Sequence, residues 1–224
     1  MINPEHWFAV FTEKLKAVFG ERLLFVGCQG SYRRGEADEN SDIDAVVILD
    51  KIGFEDLEKY KTAVSSMPEG EKACGFISGA DEIKSWAGHE LFQLYHDTKA
   101  VYGDLGDLIP PLGAKDAEAA VKSGAQALYH GAVHSFLYAR DLSFVLQELY
   151  KGVFFILQAE YYVRSGEYIL KKRELISKLE GEEKEVLQIC SARKEIPSYP
   201  TEKVKYCCKK LMEFCRGRIK GPRI

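Results

Sequence analysis

Disulfide staples and zinc knuckles are the first things this chain lacks, because its six cysteines (Cys28, Cys74, Cys190, Cys207, Cys208 and Cys215) include no CxxC pair. They read as reduced thiols, mostly small buried apolar residues, in a reducing compartment. No apolar run approaches the roughly 18 residues of a membrane span. The opening Met1 to Val10 has neither the basic nor the apolar block of an export leader. A cytoplasmic protein without a membrane partner is the expectation. Internal repeats and low-complexity tracts are also missing, and so is a strong charge of one sign. The net charge is −3, with −9 on the first 200 residues and +6 on residues 201–224. That balance argues against a nucleic-acid coat. The tail cations Lys203, Lys205, Lys209, Lys210, Arg216, Arg218, Lys220 and Arg223 read as a solvated helix face, since aromatics able to stack on bases are sparse among them.

What is present suits a folded chain. The 224 residues are 46% hydrophobic and 29% charged, enough for one large domain or two small ones with a real core. Trp7, Phe8, Phe11, Leu15, Val18 and Phe19 fall at helical spacing over Glu5 to Phe19, and Gly20 can stop that helix. Leu23 to Val26 reads as a buried strand, and Ile43 to Leu49 as a central one. A polar connection, Gly30 to Asn40, joins them. Phe54 to Val64 predicts a helix, Ala73 to Ile77 a third strand, and Ser78 with Asp81 a capping box opening a short helix. Beyond Pro110, Pro111 and Gly113 only helical patterns remain, over Lys115–Arg140, Leu142–Ser165, Tyr168–Leu179, Glu182–Cys190 and Thr201–Cys215. The expected architecture is α+β: a mixed-sheet domain over 1–112 and an all-α helical bundle over 113–224, with Leu146, Leu149, Tyr150, Val153, Phe154 and Leu157 in the bundle core.

The chemistry concentrates between the first two strands. Asp42 and Asp44 flank Ile43 at the mouth of the second strand, and side-chain alternation puts both carboxylates on one face, their Cα atoms about 6.6 Å apart. That spacing suits one Mg²⁺ between them or two ions about 3.5 to 4 Å apart; a solvated turn before a strand is the plainer alternative. Eleven residues upstream of Asp42 lies Ser31, after Gly30 and before Arg33, Arg34 and Gly35. Glycine permits close backbone approach to phosphate, the serine hydroxyl and backbone N–H groups can cradle its oxygens, and an arginine fork spreads the remaining charge.

The stretch GSYRRGEADENSDIDAVVILD resembles, in order and spacing, the GSxxxG…DxD signature of the polymerase-beta-like nucleotidyltransferase superfamily. Within it the chain is similar to the small bacterial members, the minimal and aminoglycoside-type nucleotidyltransferases, in which such a domain precedes a helical bundle. The resemblance implies that Gly30 and Ser31 hold a triphosphate, that Asp42 and Asp44 ligate Mg²⁺ as two ions, and that Arg34 is the motif's arginine, with Arg33 beside it. It further implies transfer of a nucleoside monophosphate from a nucleoside triphosphate to a hydroxyl acceptor, a small molecule in the leading reading. An antitoxin-like enzyme acting on a protein partner and a noncatalytic nucleotide-binding homologue are the alternatives, and a homodimer fits the class. The Arg-x4-His spacing of HEPN ribonucleases is absent.

Members of the superfamily often carry a third carboxylate on a neighbouring strand, and Ala73 to Ile77 holds no acid. A helical crossover makes the second and third strands parallel, which brings Glu71, at the start of the third, to the same end of the sheet as Asp42. Glu71 is therefore the expected second-metal ligand or general base, or else a surface glutamate, with Glu90 and Asp97 in reserve. His130 and His134, four apart on a predicted helix, could share a face for metal or substrate but lack a visible third ligand, and helix packing or a surface position is the plainer reading. Phe92, Tyr95 and Tyr102 could line a cleft or join a core.

Overall fold

In a computed structural model describing residues 2–221, the first helix, α1 (Pro4–Phe19), starts where local chemistry dictates. Asn3 Oδ1 accepts the His6 N–H at 3.1 Å, and Pro4 occupies the first turn, where its missing N–H costs nothing. Trp7, Phe8, Phe11, Leu15 and Phe19 are buried, whereas Val18 is exposed. Each fully buried side chain of this kind contributes roughly 1.5–3 kcal/mol.

These residues pack on a four-stranded sheet of β1 (Leu23–Cys28), β2 (Ile43–Leu49), β3 (Ala73–Gly79) and β4 (Lys99–Tyr102), in the order β3-β2-β1-β4. β1 runs antiparallel to β2 and β4. The helix α3 (Phe54–Ser65) carries the chain back so that β3 lies parallel to β2, with Ile43 beside Ala73 and Asp44 beside Cys74. The sheet is mixed, as expected. Between β1 and β2 a five-residue helix, α2 (Gly30–Arg34), replaces part of the expected irregular connection.

Two details differ after β3. The helix α4 (Ala80–Lys84) is preceded by Gly79 and has no side-chain cap; Ser78 lies inside β3 and donates to the Gly79 carbonyl at 3.2 Å. After α5 (Gly88–Asp97) comes β4, which the sequence reading omitted.

The chain divides into two compact units, Met1–Ala87 with Leu94–Pro111, and Gly88–Gln93 with Leu112–Ile224. In the second, α6 (Ala114–Tyr138), α7 (Leu142–Leu149), α8 (Lys151–Ser165), α9 (Lys172–Lys178), α10 (Gly181–Ser191) and α11 (Thr201–Ile219) enclose a core that includes Val121, Leu146, Val153, Leu157 and Leu211. The helix expected over Leu142–Ser165 breaks at Tyr150, whose buried hydroxyl donates to the Cys207 carbonyl at 2.8 Å. α9 begins late because the Ile169 carbonyl is held by Gln158 Nε2 at 2.8 Å instead of entering a helix. Arg218 is fully buried and donates from Nε to Glu160 Oε2 at 2.7 Å and from Nη2 to Glu183 Oε1 at 3.4 Å. Arg223 of the tail lies outside the described residues. No described helix is long and apolar enough to cross a membrane.

Candidate functional site

β1 delivers the chain to the site and β2 takes it away. Beyond Cys28 the Gln29 N–H donates to the Asp44 carbonyl at 2.9 Å, continuing the ladder, and α2 then turns the chain off the sheet. Gly30 has φ of 71° and sits so close to β2 that a Cβ added there would lie 1.9 Å from Asp44 Oδ2. Only glycine lets the Asp44 carboxylate lie against that backbone. Asp44 is half-buried, Ile43 is buried on the opposite face, and Asp42 is exposed just ahead of the strand. Gly30, Ser31, Asp42 and Asp44 therefore occupy one end of the β1–β2 pair.

The two arginines differ. Arg34 is 9% exposed, and its Nη1 donates to Asp97 Oδ2 at 2.7 Å while its Nε reaches Glu36 at 3.3 Å. Asp97 is itself only 2% exposed. Burial pushes its carboxyl above the ordinary aspartate range, against the opposing pull of Arg34, the Gly30 N–H and Arg33. Arg33 is partly buried, with an Nε that has no hydrogen-bond partner; Asp97 Oδ1 lacks one too. Burial raises the nearby Cys28 thiol to about 11, above the range of an activated thiolate.

Glu71 lies in a short 3-10 turn, Gly70–Lys72, ahead of β3 and is exposed. The strand register puts that turn at the same end of the sheet as Asp42, and Lys72 fastens it by donating from Nζ to the Glu39 carbonyl at 3.1 Å and to Glu69 at 2.7 Å. Beside Asp44 on β3 stands an exposed thiol, Cys74, where an acid was sought. Among the described residues no three His, Cys, Asp or Glu side chains are gathered to hold a metal ion. Two carboxylates on one face nevertheless suit Mg²⁺, a hard cation that takes one or two carboxylates and completes its shell with phosphate oxygens and water.

Other sequence-predicted residues lie elsewhere. His130 and His134 are exposed neighbours on α6, ring centroids 6.0 Å apart, followed by Tyr138 and not by a third ligand. Phe92 packs edge-on against Tyr162 and Tyr168 in the helical unit's core. Tyr95 and Tyr102 belong to the α/β unit. Glu90 is exposed beside His89. The contact that sequence reading missed is Arg34 to Asp97, 63 residues apart, for which no local pattern exists.

A mixed sheet thus carries a glycine-serine turn packed against one of an alternating aspartate pair. Residues 12–79 match the nucleotidyltransferase domain family. Among solved structures, spectinomycin adenyltransferase AAD(9) from Enterococcus faecialis, determined with ATP and spectinomycin, has a similar fold. Its TM-score is 0.54 at 15% identity, over 93% of this chain and 99% of that one. A toxin-antitoxin structure with AMP-PNP matches more loosely, with a TM-score of 0.34 at 18% identity over 61% of this chain and 95% of that one. No curated protein matches the sequence. The chain therefore carries a nucleotidyltransferase domain over residues 12–79. The reaction class of that domain family is nucleotidyl transfer.

Proposed function

We propose that this enzyme uses Mg²⁺ and ATP to adenylylate a hydroxyl group of a small molecule. The observation that carries the reading is the Asp44 carboxylate seated against Gly30, which joins the metal-binding pair to the phosphate-binding turn. Asp42 and Asp44 hold the metal; Ser31, the backbone after Gly30 and the Arg33 guanidinium hold the triphosphate. Arg34, bonded to Asp97, keeps the turn in place. Bound Mg²⁺ supplies charge neutralisation for the phosphates and the developing oxyanions.

The acceptor oxygen attacks the α-phosphorus, the bond to the β-phosphate oxygen breaks, and pyrophosphate leaves with that electron pair. The acceptor's proton passes to Glu71 and then to solvent. Positioning and charge complementarity, not covalent catalysis, do the work. A fold shared over nearly the whole length with an enzyme crystallised with ATP and spectinomycin supports an aminocyclitol-like acceptor.

The test is transfer of label from α-phosphate-labelled ATP to a panel of aminocyclitols and aminoglycosides with Mg²⁺ present. Labelled acceptor and stoichiometric pyrophosphate are expected. Label on a protein partner, with none on any small molecule, would replace the acceptor assignment with the antitoxin-like one.

A further inference from the structure

We infer that Asp97 is a positioning residue for nucleotide binding: through Arg34 it locks the α2 turn in the geometry that presents Ser31 and Arg33 to the triphosphate. The inference rests on the nucleotidyltransferase reading of that turn and adds a residue from outside the motif.

A five-residue helix cannot hold itself together, because nucleation costs more than one turn of hydrogen bonds returns. α2 also lacks a side-chain cap at its N-terminus and ends at Gly35. Its geometry must come from tertiary bonds. One such bond is a buried ion pair, Arg34 Nη1 to Asp97 Oδ2 at 2.7 Å, with side-chain exposures of 10% and 3%. It ties the last residue of α2 to the last residue of α5 across 63 positions of sequence.

The pair also divides the arginines by task. Arg34 gives its Nη1 to Asp97 and its Nε to Glu36. Arg33, one residue earlier, has a buried Nε without a partner, an arrangement that a ligand anion would complete. Desolvated pairs are costly to break singly, because the survivor is left charged and unpaired. Their replacement by apolar residues of similar size preserves stability while deleting the tie. That contrast separates positioning from mere folding.

The experiment compares wild type, Asp97→Asn, Asp97→Glu and the double variant Arg34→Met with Asp97→Leu. Calorimetry measures binding of a nonhydrolysable ATP analogue with Mg²⁺, thermal melting measures stability, and amide hydrogen exchange reports on residues 30–35. We expect the double variant to melt near wild type yet bind at least tenfold more weakly, with faster exchange in the turn. Asp97→Glu should bind more tightly than Asp97→Asn. A double variant that binds like wild type, with unchanged exchange, overturns the inference while leaving the nucleotidyltransferase reading intact. Wild type that binds no triphosphate overturns both.

Discussion

Replacing Gly30 with alanine separates backbone strain from site geometry, because a second glycine serves as its control. At Gly30, with φ of 71°, a side chain incurs the left-handed cost of roughly 1–2 kcal/mol. Alanine's lower unfolded-state entropy returns about 0.4–1 kcal/mol. The net loss of about 1 kcal/mol predicts a melting-temperature drop of about 2–4 °C. The new Cβ would also sit 1.9 Å from Asp44 Oδ2. A comfortable carbon–oxygen contact is about 3.3 Å, so the carboxylate must retreat by more than about 1 Å. Displacement on that scale costs on the order of 100-fold in activity. Gly35 has φ of 68° but nothing within 4 Å of an added Cβ. Gly35→Ala should therefore lower the melting temperature similarly and leave triphosphate affinity within a factor of about 2–3 of wild type, for want of any clash. Melting curves, calorimetry with Mg²⁺ and a nonhydrolysable ATP analogue, and turnover of ATP give the readings. Equal turnover and equal triphosphate affinity in the two variants would refute the reasoning.

Three further outcomes follow from the same structure. Glu71→Gln should lower turnover while leaving triphosphate binding nearly intact, since a base acts mainly in the transition state; steady-state kinetics with separate binding measurements decide it. The Arg22 hydrogen bonds, with the Gly53 N–H, hold the Asp56 carboxyl down at about 2, against roughly 3.9 in an unfolded chain. Because the folded value is the lower one, that contribution to stability is full above about pH 4 and lost as the pH falls toward 2, and Arg22→Gln should flatten this acid limb in chemical denaturation. Arg218→Met strands the buried Glu160 carboxylate and should cost about 3–5 kcal/mol, most of it recovered in the double variant with Glu160→Leu, as equilibrium unfolding would measure.

The parts of this fold legible in the sequence were those with a long or periodic apolar signal. β2 reads directly from seven consecutive residues, Ile43–Leu49, of which all but Asp44 are buried. The parallel β2–β3 pairing follows from the helical crossover between them. β4 escaped notice because it is a four-residue edge strand, Lys-Ala-Val-Tyr, with three exposed side chains and no alternation to detect. α2 was hidden for a related reason, being too short for helical periodicity and opening on a glycine. At the site, glycine, serine and the aspartates are neighbours in the motif, so their order between two strands could be read from spacing. The Arg34–Asp97 bond could not, because it joins α2 to the end of α5 through tertiary folding alone.

In the proposed function Asp42, Asp44 and the Gly30–Ser31 turn form one site for Mg²⁺ and a nucleoside triphosphate. Thermal melting tests it directly, with Mg²⁺ alone, with a nonhydrolysable ATP analogue alone and with both, on wild type and on the double variant Asp42→Asn with Asp44→Asn. Phosphate and carboxylate charges neutralised in a shared site require each other's counter-ion, so wild type should be stabilised by the two ligands together by more than the sum of their separate shifts. The double variant should lose that excess while melting close to wild type without ligand, since Asp42 is exposed and Asp44 only half-buried. An undiminished joint shift in the double variant would contradict the claim.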